Sequence, residues 1–144
     1  MPPSNFQHLE PEWADLFESC LKTEQYALTD PRTCCFHARR SVEMTVQWMY
    51  AHDPVFKRPY DTNLAALIAH ESFQTNVPPH ARNTARIIQK MGNKAVHTEK
   101  KIKQYDSLTI TKELFHFSFW FAQTYTTQPL IPDISFDQEL LPKP

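Results

Sequence analysis

The sequence predicts an all-α protein, and three observations support this fold class. The chain has 144 residues but a single glycine, where ordinary usage would give about ten. Sheet proteins need Gly and Asn-Gly at their hairpin turns, so this scarcity argues against strands. Apolar residues also recur at the three- and four-residue spacing that is typical of amphipathic helices.

The first half of the chain predicts three helices. The first helix is expected from about Pro11 to Leu28, where apolar residues keep helical spacing. Asp30 is expected to cap a second helix that begins at Pro31 and ends before Asp53. After a polar loop over 53–62, Asn63 is expected to cap a short third helix that ends near residue 70.

The second half predicts two long helices and an extended tail. A fourth helix is expected over 79–97, after the Pro78-Pro79 pair, and a fifth from Asp106 through Tyr125. The fifth is apolar on nearly all sides, which predicts a central position in the bundle or an interface. The prediction is therefore a four- to five-helix bundle over 1–126, followed over 127–144 by a proline-rich linker toward a downstream region.

Composition narrows the class of protein. No apolar run reaches the ~20 residues that a membrane span needs, so no membrane association is expected. The three cysteines lack metal or redox spacing and are expected to be small core residues of a protein in a reducing cytoplasm. The seven histidines show no metal-ligand spacing, and no motif for a catalytic site or a phosphate-binding loop is present.

Charge is segregated along the chain although the formal net charge is only -1. Residues 1–30 carry one basic and six acidic side chains, whereas residues 80–103 carry seven basic side chains and Glu99. On a helical wheel of the fourth helix, one ridge of polar and basic residues faces away from Ile87, Ile88, Met91 and Ala95. The ridge consists of Arg82, Arg86, Lys90, Asn93 and His97.

Three interpretations of this ridge are open. It can be a solvated helix face, with Gly92 permitting a close helix crossing and His97 bonded to a backbone carbonyl. It can contact nucleic acid or a nucleotide, because clustered Lys and Arg attract phosphates. It can also carry acid–base catalysis by His97, although no partner for it is visible. On the second helix, Arg39 and Glu43 have the spacing of a structural salt bridge.

Several segments together resemble the N-terminal helical domain of type I restriction–modification R subunits. They are Asp30-Pro-Arg-Thr and the helix after it, Tyr60-Asp-Thr-Asn-Leu, Arg86-Ile-Ile-Gln-Lys-Met-Gly-Asn-Lys-Ala-Val-His97, Glu113-Leu-Phe-His-Phe and Phe136-Asp-Gln-Glu-Leu-Leu-Pro-Lys-Pro144. The resemblance implies a non-catalytic fragment of an ATP-dependent DNA translocase and endonuclease. Its nuclease and helicase parts, with ATP and Mg²⁺, would lie beyond Pro144, and its partners would be methylation and specificity subunits and DNA.

More distantly, the chain is similar to the HEPN superfamily of helical bundles. Active RNases of that superfamily carry an arginine, a polar residue, three further residues and a histidine. Asn93 and His97 match this pattern, but Gly92 occupies the arginine position. The alternatives left open are a free-standing HEPN-type RNase or toxin-like protein, and a helical interaction module that forms homodimers through the fifth helix.

Overall fold

A computed structural model describes residues 3–129 and 132–144, and it confirms the all-α fold class for them. This part of the chain contains six α-helices, two short 3₁₀ turns and no strand. The helices are α1 (Ala14–Tyr26), α2 (Pro31–His52), α3 (Leu64–Ala69), α4 (Glu71–Asn76), α5 (Pro79–His97) and α6 (Gln104–Tyr125). The 3₁₀ turns cover Gln7–Leu9 and Gln138–Leu140.

The expected caps begin two of these helices. The Asp30 carboxylate accepts a hydrogen bond from the Thr33 backbone N–H at 3.2 Å, and Pro31 takes the first helical position. The Asn63 side-chain oxygen accepts from the Ala66 N–H at 2.9 Å. Each cap satisfies an amide that has no partner within its own helix. The predicted bounds of α2 and α5 are confirmed at both ends.

The structure differs from the sequence-based prediction by one additional helix and by the starting residues of two others. The helix α4 was not expected, and the imidazole of His70 begins it by accepting a hydrogen bond from the Ser72 N–H at 3.2 Å. The helix α1 starts three residues later than Pro11, because the Trp13 backbone is non-helical, with φ -132° and ψ 65°. The helix α6 starts at Gln104, where Asp106 accepts from the Lys103 N–H at 3.0 Å.

The helix α2 occupies the centre of the bundle, because it packs against α1, α5 and α6. The helix α6 packs on α2 and α5 and buries residues such as Leu114, Phe117 and Phe121 completely. All three cysteines are buried as free thiols, as expected of core residues. Burial raises the pKa of the Cys34 thiol to about 12 and that of Cys35 to about 11, so both stay protonated and unreactive.

The two ends of the chain meet on the surface of the bundle. The Asn5 side chain donates to the Asp137 carbonyl at 3.0 Å and accepts from the Asp137 N–H at 2.7 Å. Asn5 also donates twice to the buried Glu24 carboxylate of α1. Leu141 is buried, and Phe136 packs on Phe115 with ring centroids 5.9 Å apart. Part of the tail, expected as an extended linker, therefore contacts the bundle.

Within the described residues, no helix combines the length and apolar character required to cross a membrane.

Candidate nucleic-acid interface

The basic ridge lies on α5, whose two faces differ sharply in polarity. The helix begins at Pro79, which needs no N–H partner at that position. Its buried face consists of small or aliphatic residues that meet α2 and α6, namely Ala81, Thr84, Ala85, Ile88, Gly92 and Ala95. The opposite face can carry charged residues, because packing of the buried face against the other helices is sufficient to keep α5 in place.

The structure places the five predicted ridge residues on this outer face. Arg86, Lys90 and His97 are exposed, and Arg82 and Asn93 are partly exposed. One residue assigned to the inner face was predicted wrongly. Ile87 is 37% exposed, because it lies about 100° around the wheel from the centre of the buried stripe.

Arg82 is tied to the protein and is less available than its neighbours. Its Nη1 donates to the Gln74 carbonyl at 2.7 Å and to the Gln74 side-chain oxygen at 3.3 Å. This contact links α5 to α4, an element that the sequence did not predict. Arg82 therefore fixes the corner between the two helices.

The remaining cations of the block 80–103 have no acidic partner in the described parts of the chain. The ion pairs found there are Arg39–Glu43 and Lys143–Glu139, and neither includes a residue of this block. Six lysine and arginine side chains of the block 80–103 are exposed: Arg86, Lys90, Lys94, Lys100, Lys101 and Lys103. Unpaired cations on one segment produce a positive potential that attracts anions from solution.

At Gly92, α5 packs closely against α2. A Cβ atom at this position would lie 2.5 Å from the Arg39 Cβ and 2.7 Å from its Cδ. The backbone of Gly92 is ordinary helix without a positive φ, so the glycine is needed for space and not for conformation. The close crossing expected for Gly92 is therefore present, and its partner is Arg39.

The Arg39 guanidinium is only partly satisfied. Its Nη1 lies 4.0 Å from a Glu43 carboxylate oxygen, with both side chains partly exposed. Its Nε is buried and has no hydrogen-bond partner among the described residues. The spacing of Arg39 and Glu43 correctly predicted the pair, but a contact of this length and exposure contributes little to stability.

Arg32 organises the end of α5, a role that no local sequence pattern predicts. One Nη donates to the carbonyls of Ala95 and Thr98, the latter at 2.9 Å, and the other donates to Lys100. These carbonyls end a helix and its following turn, where partial negative charge accumulates. Arg32 therefore holds the turn that carries Lys100 and Lys101.

His97 makes no side-chain hydrogen bond with the described residues, so the expected bond to a backbone carbonyl is absent there. Three histidines elsewhere in the structure have lowered pKa values, among them His116, where burial is the main cause. Burial lowers the pKa of His8 to about 4, and burial, followed by Lys22 and Arg40, lowers that of His37. No group of three metal-binding side chains comes together anywhere in the described ranges.

Comparison with known proteins adds one finding to this geometry. A family model described as "Domain of unknown function (DUF4145)" matches residues 22–131, which include all of α2 to α6. The chain belongs to this family. No curated protein and no solved structure matches the chain. The DUF4145 match thus covers the basic ridge, Gly92 and Arg39.

Proposed function

We propose that this DUF4145 protein is a non-catalytic helical module that contacts nucleic acid through the outer face of α5. The observation that carries the proposal is the set of exposed cations in residues 80–103, none of which has a carboxylate partner in the described chain. Phosphate contacts supply most of sequence-independent DNA affinity, and unpaired Lys and Arg side chains make such contacts without first breaking an ion pair.

The test is DNA binding as a function of salt concentration. Two variants remove the same charge from different faces: Arg86→Ala/Lys90→Ala from α5, and Lys22→Ala/Arg40→Ala from exposed positions on α1 and α2. We expect the α5 variant alone to reduce the slope of log K against log salt by about 1.8, since each lost phosphate contact removes about 0.9. Equal losses in both variants, or an unchanged slope in the α5 variant, would contradict the proposal.

We further propose that the module belongs to an R subunit of a type I restriction enzyme and docks there to methylation and specificity subunits in the cytoplasm. The resemblance of the segments around α2 and α5 supports this assignment. ATP and Mg²⁺ would then act in a part of that subunit outside residues 1–144. The test is the mass of the native product, probed with an antibody against this chain. A band several times larger than 16.9 kDa that co-purifies with a methylase supports the assignment, and a band of 16.9 kDa opposes it.

A second candidate is a HEPN-like bundle with metal-independent RNase activity, and one contact favours it. Gly92 stands where the resembled motif has an arginine, and the aliphatic part of Arg39 covers that glycine. A guanidinium from α2 is thus brought to the segment that contains Asn93 and His97. We would expect RNA cleavage that is lost in both Arg39→Ala and His97→Ala. Intact RNA at high concentrations of the wild-type protein would end this candidate.

A further inference from the structure

A cavity of about 440 Å³ shares no lining residue with the basic ridge. The outer face of α6, the first turn of α5 and tail residues 133–136 enclose it. Its volume falls within the range of small-molecule sites in proteins. None of the residues that line this cavity belongs to the cations proposed to contact DNA.

The α6 wall of this cavity is divided into a cationic end and an aromatic end. Lys112 and His116 are one helical turn apart on α6, and His80 of α5 also lines the cavity. Phe119 and Trp120 follow on the next turn of α6. A ligand that fills this wall must therefore combine negative charge with a flat apolar group.

The three basic side chains lie within electrostatic reach of one another. Burial lowers the pKa of His116, Glu113 raises it, and Lys112 and His80 lower it further. None of the three side chains forms an ion pair with a described residue. His80 also belongs to the first turn of α5, where the helix carries partial positive charge and Pro78 provides no side-chain cap. An anion at this end would be attracted by the Lys112 ammonium and could accept hydrogen bonds from the imidazole N–H groups.

The aromatic end is held rigidly by the core. Phe119 stacks on Phe115 with centroids 5.8 Å apart and planes at 11°. The His8 ring supports Phe119 from another side, with an edge-to-face contact at 5.4 Å. Side chains fixed in this way lose little entropy when a ring packs against them.

The tail supplies an acceptor on a further wall. Asp133 and Ser135 line the same cavity, and an ionised carboxylate accepts hydrogen bonds from hydroxyl groups. The cavity thus combines a lysine and two imidazoles for a phosphate, aromatic rings for a flat base and a carboxylate for sugar hydroxyls. We propose that this cavity binds a nucleoside monophosphate, with its phosphate at Lys112, His80 and His116 and its base against Phe119 and Trp120.

The probe is adenosine 5′-monophosphate, followed by NMR through the indole N–H of Trp120. Adenosine lacks the phosphate and ribose 5-phosphate lacks the base, so each tests one end of the cavity. We expect the complete nucleotide to shift the Trp120 signal with at least tenfold higher affinity than either fragment. Adenosine binding as tightly as the nucleotide, or an unmoved Trp120 signal, would overturn the proposal.

Paired variants locate the site. Lys112→Ala/His116→Ala replaces two exposed side chains, so the fold should persist, and circular dichroism checks this. We expect this variant to weaken nucleotide binding at least tenfold, and Arg86→Ala/Lys90→Ala to leave it unchanged. The reverse pattern would place the nucleotide on the basic ridge and overturn the proposal. Because the DNA-contact variants and the cavity variants lie on different faces, either proposal can fail without the other.

Discussion

At the scale of single residues, Gly92 decides how closely α2 and α5 approach. Alanine normally stabilises a helix interior by about 1 kcal/mol relative to glycine. Here the added Cβ would meet the Arg39 Cβ at 2.5 Å, and an atom next to the α2 backbone cannot turn away as the end of a side chain can. The helices must separate, which is the type of overpacking that costs about 1–3 kcal/mol.

We therefore expect Gly92→Ala to lower the free energy of unfolding by about 1 kcal/mol, because the gain in helix propensity offsets part of the overpacking. Urea unfolding measures it. The matched control is Asn83→Ala, at an exposed position of the same helix, which should be neutral or slightly stabilising. A Gly92→Ala protein as stable as wild type would mean that the two helices are not in close contact at this point.

His8 makes the stability dependent on pH. Its Nε2 lies 3.1 Å from the Ser118 Oγ, and its Nδ1 is buried and meets no hydrogen-bond partner within residues 3–129 and 132–144. Burial lowers the pKa of this imidazole from 6.5 to about 4. Between these values the unfolded chain binds the proton and the folded protein does not, so the free energy of unfolding decreases as the pH falls.

The neutral state of His8 lowers the free energy of unfolding by about 3 kcal/mol in total as the pH falls from 6.5 to 4. We expect His8→Phe to remove this contribution, since its ring can still pack on Phe115 and Phe119. Burial also raises the pKa of the Glu24 carboxyl, so Glu24 changes the free energy of unfolding with pH in the opposite direction to His8. Unfolding should therefore be measured in both wild type and variant, because the difference between them isolates the contribution of His8. His97→Gln, at an exposed position, is the control and should retain the wild-type profile. Parallel profiles for His8→Phe and wild type would show that the pKa of His8 is not lowered in the folded protein.

At the scale of helices, the sequence is informative where a local signal sets a boundary. Asp30 and Pro31 fixed the start of α2, and Pro78-Pro79 fixed that of α5, because caps and prolines act on the nearest turn. The helix α4 was missed because its capping residue is His70, which is not among the usual N-cap residues. Six residues are also too few for a clear apolar period.

In the candidate interface too, the features that depend on a single helix could be predicted from the sequence, whereas the contacts between helices could not. The wheel of α5 correctly placed Arg86, Lys90 and His97 on the exposed face, since that depends on spacing within one helix. The role of Arg32 could not be predicted, because its acceptors lie 63 to 68 positions along the chain. The same holds for Arg39, whose contact with Gly92 arises only when two helices pack. Pairing across elements is set by tertiary packing, which a single sequence does not display.

At the scale of the whole molecule, the tail determines where the folded unit ends. The sequence predicted a boundary near residue 126, with a linker beyond it. In the structure, Leu141 is buried and Asp137 exchanges two hydrogen bonds with Asn5. Asn5 in turn binds Glu24 of α1. The tail is thereby coupled to the N-terminal segment and to the first helix, so that loosening it should affect the stability of the bundle.

Two leucines of the tail test this coupling. Burial of a leucine side chain contributes about 1.5–3 kcal/mol, so we expect Leu141→Ala to lower the free energy of unfolding by about 2 kcal/mol. Leu140 is its neighbour but is partly exposed, and Leu140→Ala should cost less than half as much. Urea unfolding together with amide hydrogen exchange at Asn5 distinguishes the cases. If the tail is a free linker, both variants will unfold like wild type and Asn5 will exchange at the same rate in all three proteins. If the tail is docked, Asn5 will exchange faster only when Leu141 is replaced.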